Sequence, residues 1–214
     1  MAYSGDVSRG SAPAVRTLDH LTITKVSVGP MDNNAYLLRC GDDQLLIDAA
    51  NDDDTLLALI GETGLATVVT THRHGDHWQA LAEVVAATGA RTAAGRPDAE
   101  ALPVPVDVPL DDGDRVQVGE VELEVIALVG HTPGSVALLY DDPGGHPHLI
   151  TGDSLFPGGV GRTTNPADFS SLIDDVIVLR RASSSVTDRP QTVPSRSSHC
   201  SWASTLPKRW PKSA

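Results

Sequence analysis

Val68-Val69-Thr70-Thr71-His72-Arg73-His74-Gly75-Asp76-His77-Trp78 is a hydrophobic run that ends in three histidines and one aspartate within six residues. At the end of a strand, residues two apart face the same way, so His72 and His74 can grip one ion. Gly75 lets the backbone turn and carries Asp76 and His77 onto the next face, where a second ion would sit. Imidazole and carboxylate are the ligands that borderline divalent ions such as zinc prefer, and a catalytic centre keeps one position open for water. A polar loop rich in histidine is the plainer reading, and the density of ligand atoms weighs against it.

The flanks predict rigid supports. Residues 65–71 read as a short buried strand, and behind the loop Trp78, Leu81, Val84, Val85 and Thr88 recur at helical spacing until Gly89. Upstream, residues 21–28 alternate apolar with polar, as a half-buried strand does. Residues 35–39 and 44–48 read as a hairpin around Gly41-Asp42-Asp43, and Asn51-Asp52-Asp53-Asp54 caps a helix over residues 55–62 that stops at Gly64. Downstream, residues 91–94 form a strand, and residues 96–107 are a Pro-broken connection around a short turn at Asp98-Ala99-Glu100. Two further hairpins pair residues 115–118 with 121–129 and residues 135–140 with 148–151.

Two of these strand ends carry more ligand chemistry. Val129-Gly130-His131-Thr132-Pro133-Gly134-Ser135 holds a histidine in a tight turn, and Ile150-Thr151-Gly152-Asp153-Ser154 holds an aspartate just past a buried strand. Loops at strand ends are where rigid scaffolds present ligands. Alone, a histidine in a Pro-Gly turn is an ordinary surface residue, and Gly-Asp is an ordinary turn former. Their company with the first cluster changes the reading.

At these residues the chain resembles the metallo-β-lactamase fold superfamily, and within it the glyoxalase II-like (hydroxyacylglutathione hydrolase-like) hydrolases. The motifs are His72-x-His74-x-Asp76-His77, His131 in Gly-His-Thr-Pro-Gly-Ser, and Asp153 in Thr-Gly-Asp-Ser-Leu-Phe, in the family's order. The resemblance covers residues 21–176 and implies a mixed α and β fold, an αββα four-layer sandwich with two metal ions at one edge. It implies that His72, His74 and His131 hold the first ion, that Asp76 and His77 hold the second, and that Asp153 bridges. Arg162, after Phe156-Pro157-Gly158-Gly159-Val160-Gly161, resembles the family's loop beside the substrate pocket, where it would meet a carboxylate. The family closes its second metal with a histidine after another strand, and nothing in residues 176–214 reads that way, so the last strand and helix are expected to be missing.

The totals set bounds. A chain of 214 residues with 40% hydrophobic content suits one sizeable domain. A net charge of -12 disfavours a nucleic-acid partner. Residues 1–16 lack the apolar core of a signal peptide and no later run reaches the length of a membrane span, which predicts a cytoplasmic protein without membrane contact. With no export signal, Cys40 and Cys200 read as free thiols. Residues 1–176 hold 9 of the 16 Lys and Arg and 27 of the 28 Asp and Glu, whereas residues 177–214 hold 7 and 1. The polar, Gly/Ser/Pro-containing residues 1–19 read as a loose N-terminal arm, and the charge break separates the metal-binding domain (20–176) from a basic Ser/Pro/Arg-rich tail (177–214) that is either disordered or the product of a changed reading frame.

The function expected is hydrolysis of a thioester or other ester-like bond in a small molecule by a metal-bound hydroxide that Asp76 and Asp153 orient. Zinc is the expected ion, one or two per chain, with iron or manganese as alternatives. A rival within the superfamily is a mononuclear iron enzyme of the persulfide dioxygenase type, using His72, His131 and Asp153. A rival of another class is a truncated, inactive relative that only binds metal. The oligomeric state has no signature in the sequence.

Overall fold

The computed structural model describes residues 5–156 and 159–185, the last eight by backbone alone. Its first sheet opens with antiparallel strands β1 (Ala14–Thr17), β2 (Thr22–Val28), β3 (Asn33–Cys40) and β4 (Asp43–Ile47). It continues in parallel through β5 (Thr67–Thr70), β6 (Arg91–Gly95) and β7 (Val108–Leu110). Parallel neighbours need crossovers, supplied by α1 (Asp53–Ile60) between β4 and β5 and α2 (Leu81–Thr88) between β5 and β6. The second sheet is antiparallel, with β8 (Arg115–Val118), β9 (Val121–Leu128), β10 (Ser135–Tyr140) and β11 (His148–Ile150) side by side. A ribbon of β12 (Leu155–Phe156) and β13 (Gly159–Val160) leads to the helix α3 (Pro166–Ser185).

Strand alternation sorts the apolar residues into two cores. Ile23, Leu38, Leu45, Ile47 and Val69 meet Leu123, Val125, Val136 and Leu138 between the sheets. Their sequence neighbours Val26, Leu37, Leu46 and Val68 face the other way, onto Leu56, Ile60, Leu81 and Val84 of α1 and α2. Each fully buried side chain of this size contributes roughly 1.5–3 kcal/mol. On the outer side of the second sheet, Leu128 and Ala137 form a smaller cluster, and α3 packs against β9 with Leu172 fully buried. Helix, sheet, sheet, helix is the expected αββα order.

Several details depart from expectation. Residues 14–17, expected in the loose arm, pair with β2 as an edge strand too short to show a period in sequence. β7 forms directly after the connection over residues 96–107, where no strand was expected. α1 starts at Asp53, with Asp52 accepting from Thr55 N, and ends at Ile60, after which a 3-10 turn over Gly61–Thr63 runs to the expected stop at Gly64. Trp78 precedes α2 instead of joining it, and its indole Nε1 donates to the Arg73 carbonyl at 2.8 Å. Residues 177–185, expected in the tail, continue α3 without a break. Extending a formed helix is cheap, and Arg180-Arg181-Ala182 are good helix formers. Residues 186–214, with His199 and Cys200, lie outside the described residues. Among the described residues no helix is long and apolar enough to cross a membrane.

Candidate metal centre

The C-terminal end of β5 delivers the first ligands. His72 follows the strand buried, and a 3-10 turn over Gly75–His77 lifts His77 back against the sheet, also buried. The second sheet supplies the rest: His131 lies in the turn between β9 and β10, and Asp153 in the 3-10 turn Gly152–Ser154 after β11. Gly152 has φ 51° and packs on Thr71, where a Cβ would lie 2.5 Å from the hydroxyl.

Five of the six predicted ligands converge in two overlapping sets, His72–His74–His131 and His72–His77–Asp153, each with donor atoms within 4.8 Å of one another. His131 Nε2 is 3.3 Å from His72 Nε2 and 3.0 Å from His74 Nδ1. The first spacing matches the edge of roughly 3.3–3.4 Å that a tetrahedron with metal–nitrogen bonds of about 2.0–2.1 Å requires, and the second falls short of it by a few tenths of an ångström. Asp76 belongs to neither set. Its Oδ2 stands 4.0 Å from His77 Nε2 and accepts from Asn33 Nδ2 at 2.9 Å.

The outer nitrogens decide what the inner ones are. His131 Nδ1 lies 2.9 Å from the Arg162 carbonyl, which only accepts, so Nδ1 carries the proton. His77 Nδ1 lies 2.8 Å from Asp48 Oδ2. Thr71 Oγ1 donates to Asp48 Oδ2 at 2.8 Å and so accepts from His72 Nδ1 at 3.1 Å. Assigned this way, the Nε2 lone pairs of His72, His77 and His131 all point inward. His77 Nε2 is buried and faces Asp153 Oδ1 at 3.2 Å. Lone pairs crowded at 3.3 Å repel unless a proton or a cation lies between them. The donor set fits a divalent ion, and the outer contacts are of the kind that fix ligating histidines.

Without an ion the cluster is polarised. Burial, then the neighbouring His77 and His131, hold His72 down at about 2, and His74 is lowered by burial and then by His131. Burial would also lower His77, but Asp48 and then Asp153 override it and raise the ring to about 10. The hydrogen-bonding field of His77 pulls Asp153 down to about 2 against the effect of its burial.

The Arg162 side chain is exposed, while its carbonyl orients His131. Four residues that matter here were not singled out as site residues. Asn33 fixes Asp76 through both its carbonyl and its carboxylate, Asp48 and Thr71 fix His77 and His72, and Asp98 accepts from the loops on either side. Asp48 did carry a signal, an acid closing the apolar run Leu45-Leu46-Ile47. A cavity of about 770 Å³ opens beside Asp76, His77 and Asp153 and runs between the sheets to Lys25, Tyr36 and Phe156.

Known proteins are similar to this chain in sequence and in fold. The chain is 40% identical over 134 residues to a hydroxyacylglutathione hydrolase of Fuscovulum blasticum, a match that takes in 61% of this chain and 51% of that one. The chain thus spans about half the length of the curated relatives it matches. Among solved structures, TTHA1623 in a di-iron-bound form is 35% identical with a TM-score of 0.61, over 72% of this chain and 84% of that one. ETHE1 from Myxococcus xanthus is 27% identical with a TM-score of 0.63, over 72% and 68%. The sequence model described as the Metallo-beta-lactamase superfamily matches residues 28–207, so with its sandwich and its histidine cluster the chain belongs to the metallo-β-lactamase superfamily.

Proposed function

We propose that this chain is a metal-dependent hydrolase of a thioester or other ester-like bond in a small molecule. The observation that carries the reading is the inward convergence of His72, His74, His77 and His131 with Asp153, of which His77 and Asp153 line a cavity of about 770 Å³. The relatives named hydroxyacylglutathione hydrolase make a hydroxyacyl thioester the first substrate to try. A divalent ion, when bound, supplies Lewis acidity and an activated water. His72, His74 and His131 would hold one ion, and His77 with Asp153, aided by Asp76, would hold another. Asp153, its side chain 41% exposed, faces the cavity and as a carboxylate can orient a water there. Asn33 keeps Asp76 turned toward the same space. Zinc suits the nitrogen-rich first set, and the di-iron form of TTHA1623 makes iron the other candidate.

Four imidazoles exceed what the mononuclear iron alternative needs, since His72, His131 and Asp153 suffice for it. Metal analysis of the purified chain, then reconstitution with zinc, iron or manganese and assay on a hydroxyacyl thioester, tests the proposal. Turnover above that of the free ions is the expected result. Loaded protein with no turnover on thioesters or simple esters overturns it, and oxygen uptake with one iron per chain favours the alternative. In a titration the second equivalent should bind more weakly, because the second set has one buried imidazole of its own.

A further inference from the structure

Asp98 is fully buried in the 3-10 turn Arg96–Ala101 that follows β6. Its Oδ2 accepts from Arg73 N at 3.0 Å and from Thr132 Oγ1 at 2.5 Å, and its Oδ1 accepts from Gly134 N at 3.0 Å. Arg73 Nε stands 3.8 Å from Oδ1. Arg73 lies between His72 and His74, and Thr132 follows His131. A single carboxylate therefore spans the two loops that bring ligands from different sheets. The backbone is shaped to admit it. A Cβ on Gly134 would lie 2.5 Å from Asp98 N and 2.8 Å from its Cγ, and a Cβ on Gly95 would collide with the Gly134 carbonyl. Burying a carboxylate is costly unless every lone pair is used, and here the donors come almost wholly from the ligand loops.

We propose that Asp98 is a positioning residue that sets the distance between His74 and His131, so that metal affinity depends on a side chain that touches neither ring. The inference rests on the metal-centre reading above. A clamp that only held the sheets together would change stability and leave affinity alone, and the test separates the two. Asp107 is the control, because it accepts from Thr92 N at 2.9 Å and Thr92 Oγ1 at 3.1 Å in the same part of the fold without reaching a ligand loop.

The full chain and its Asp98→Asn, Thr132→Val and Asp107→Asn variants are titrated with cobalt(II) against a competing chelator, with the visible spectrum and the Tm recorded. Asp98→Asn keeps the shape but leaves one oxygen for two loops. It should bind cobalt about 10–100-fold more weakly, the range typical of lost outer contacts, with altered visible bands. Thr132→Val should show a smaller loss in the same direction, and Asp107→Asn should lower only the Tm. Wild-type affinity and spectrum in both Asp98→Asn and Thr132→Val would overturn the inference, and if Asp98→Asn does not fold, Thr132→Val decides. Failure of the unsubstituted chain to take up cobalt would instead overturn the metal-centre reading, and the inference with it.

Discussion

Asp48 and His77 meet as a buried pair, Oδ2 2.8 Å from Nδ1, although β5 and its loop separate them in the chain. The same carboxylate accepts from Thr71 N at 2.7 Å and from Thr71 Oγ1, so one acid fixes both the end of β5 and the ring beyond it. Asp48 does this from a left-handed backbone, φ 60°, which Asn also tolerates. In Asp48→Asn the amide would present N–H to His77 Nδ1, favouring the tautomer whose Nε2–H points into the site. We expect metal affinity to fall about 10–100-fold, read by chelator competition. Stability should fall by about 1–3 kcal/mol, read by urea unfolding.

The metal-free protein should be most stable near the ordinary histidine pKa. His77 is raised to about 10, so its contribution is full below 6.5 and is lost as pH rises through 10. His72 is held at about 2, so the folded chain refuses a proton that the unfolded chain accepts, and stability falls as pH drops below 6.5. A Tm series on chelator-treated protein should show both limbs. In His77→Asn the alkaline limb should flatten while the acid limb remains.

Gly161 is required by close packing alone, since it carries no left-handed backbone. A Cβ there would lie 2.6 Å from His131 Nδ1 and run into the Asp153 carbonyl. Gly161→Ala should push two ligands at once and cost about 1–3 kcal/mol, as overpacking does. Calorimetry and a metal titration would show both losses, whereas Gly159→Ala, where a Cβ meets nothing within 4 Å, should be nearly silent.

Arg162 offers a separation of roles. Its carbonyl holds His131 and its guanidinium is free to reach a substrate, so Arg162→Ala should leave metal affinity within about twofold of wild type and raise KM for a thioester bearing a carboxylate. Steady-state kinetics on charged and neutral thioesters would check this, an equal KM for both variants counting against a substrate contact.

The layers and the ligand loops were legible because each rests on a local pattern: alternation in β2, the turn residues between β3 and β4, helical spacing in α2, and histidines two apart at the end of β5. Short elements were not, since four residues at 14–17 or three at 108–110 carry no period and form only because a neighbouring strand offers its edge. Residues 177–185 were grouped with the tail on a change of charge at residue 177, which says nothing about whether a helix stops. Asp98 and Asn33 were hidden, and Asp48 showed only as an acid closing an apolar run, because their importance lies in what folds back onto them from 23 to 43 residues away. A single carboxylate in a turn reads as a turn former until its donors are known.

His72, His74 and His77 come from one layer of the sandwich, and His131 and Asp153 from the other. An ion seated among them rivets the seam, and prising the layers apart means giving it up. Every tenfold gain in affinity thus adds about 1.4 kcal/mol of resistance to that opening at a fixed ion concentration above saturation. Supply of the ion would then govern the lifetime of the chain against proteases as well as its chemistry.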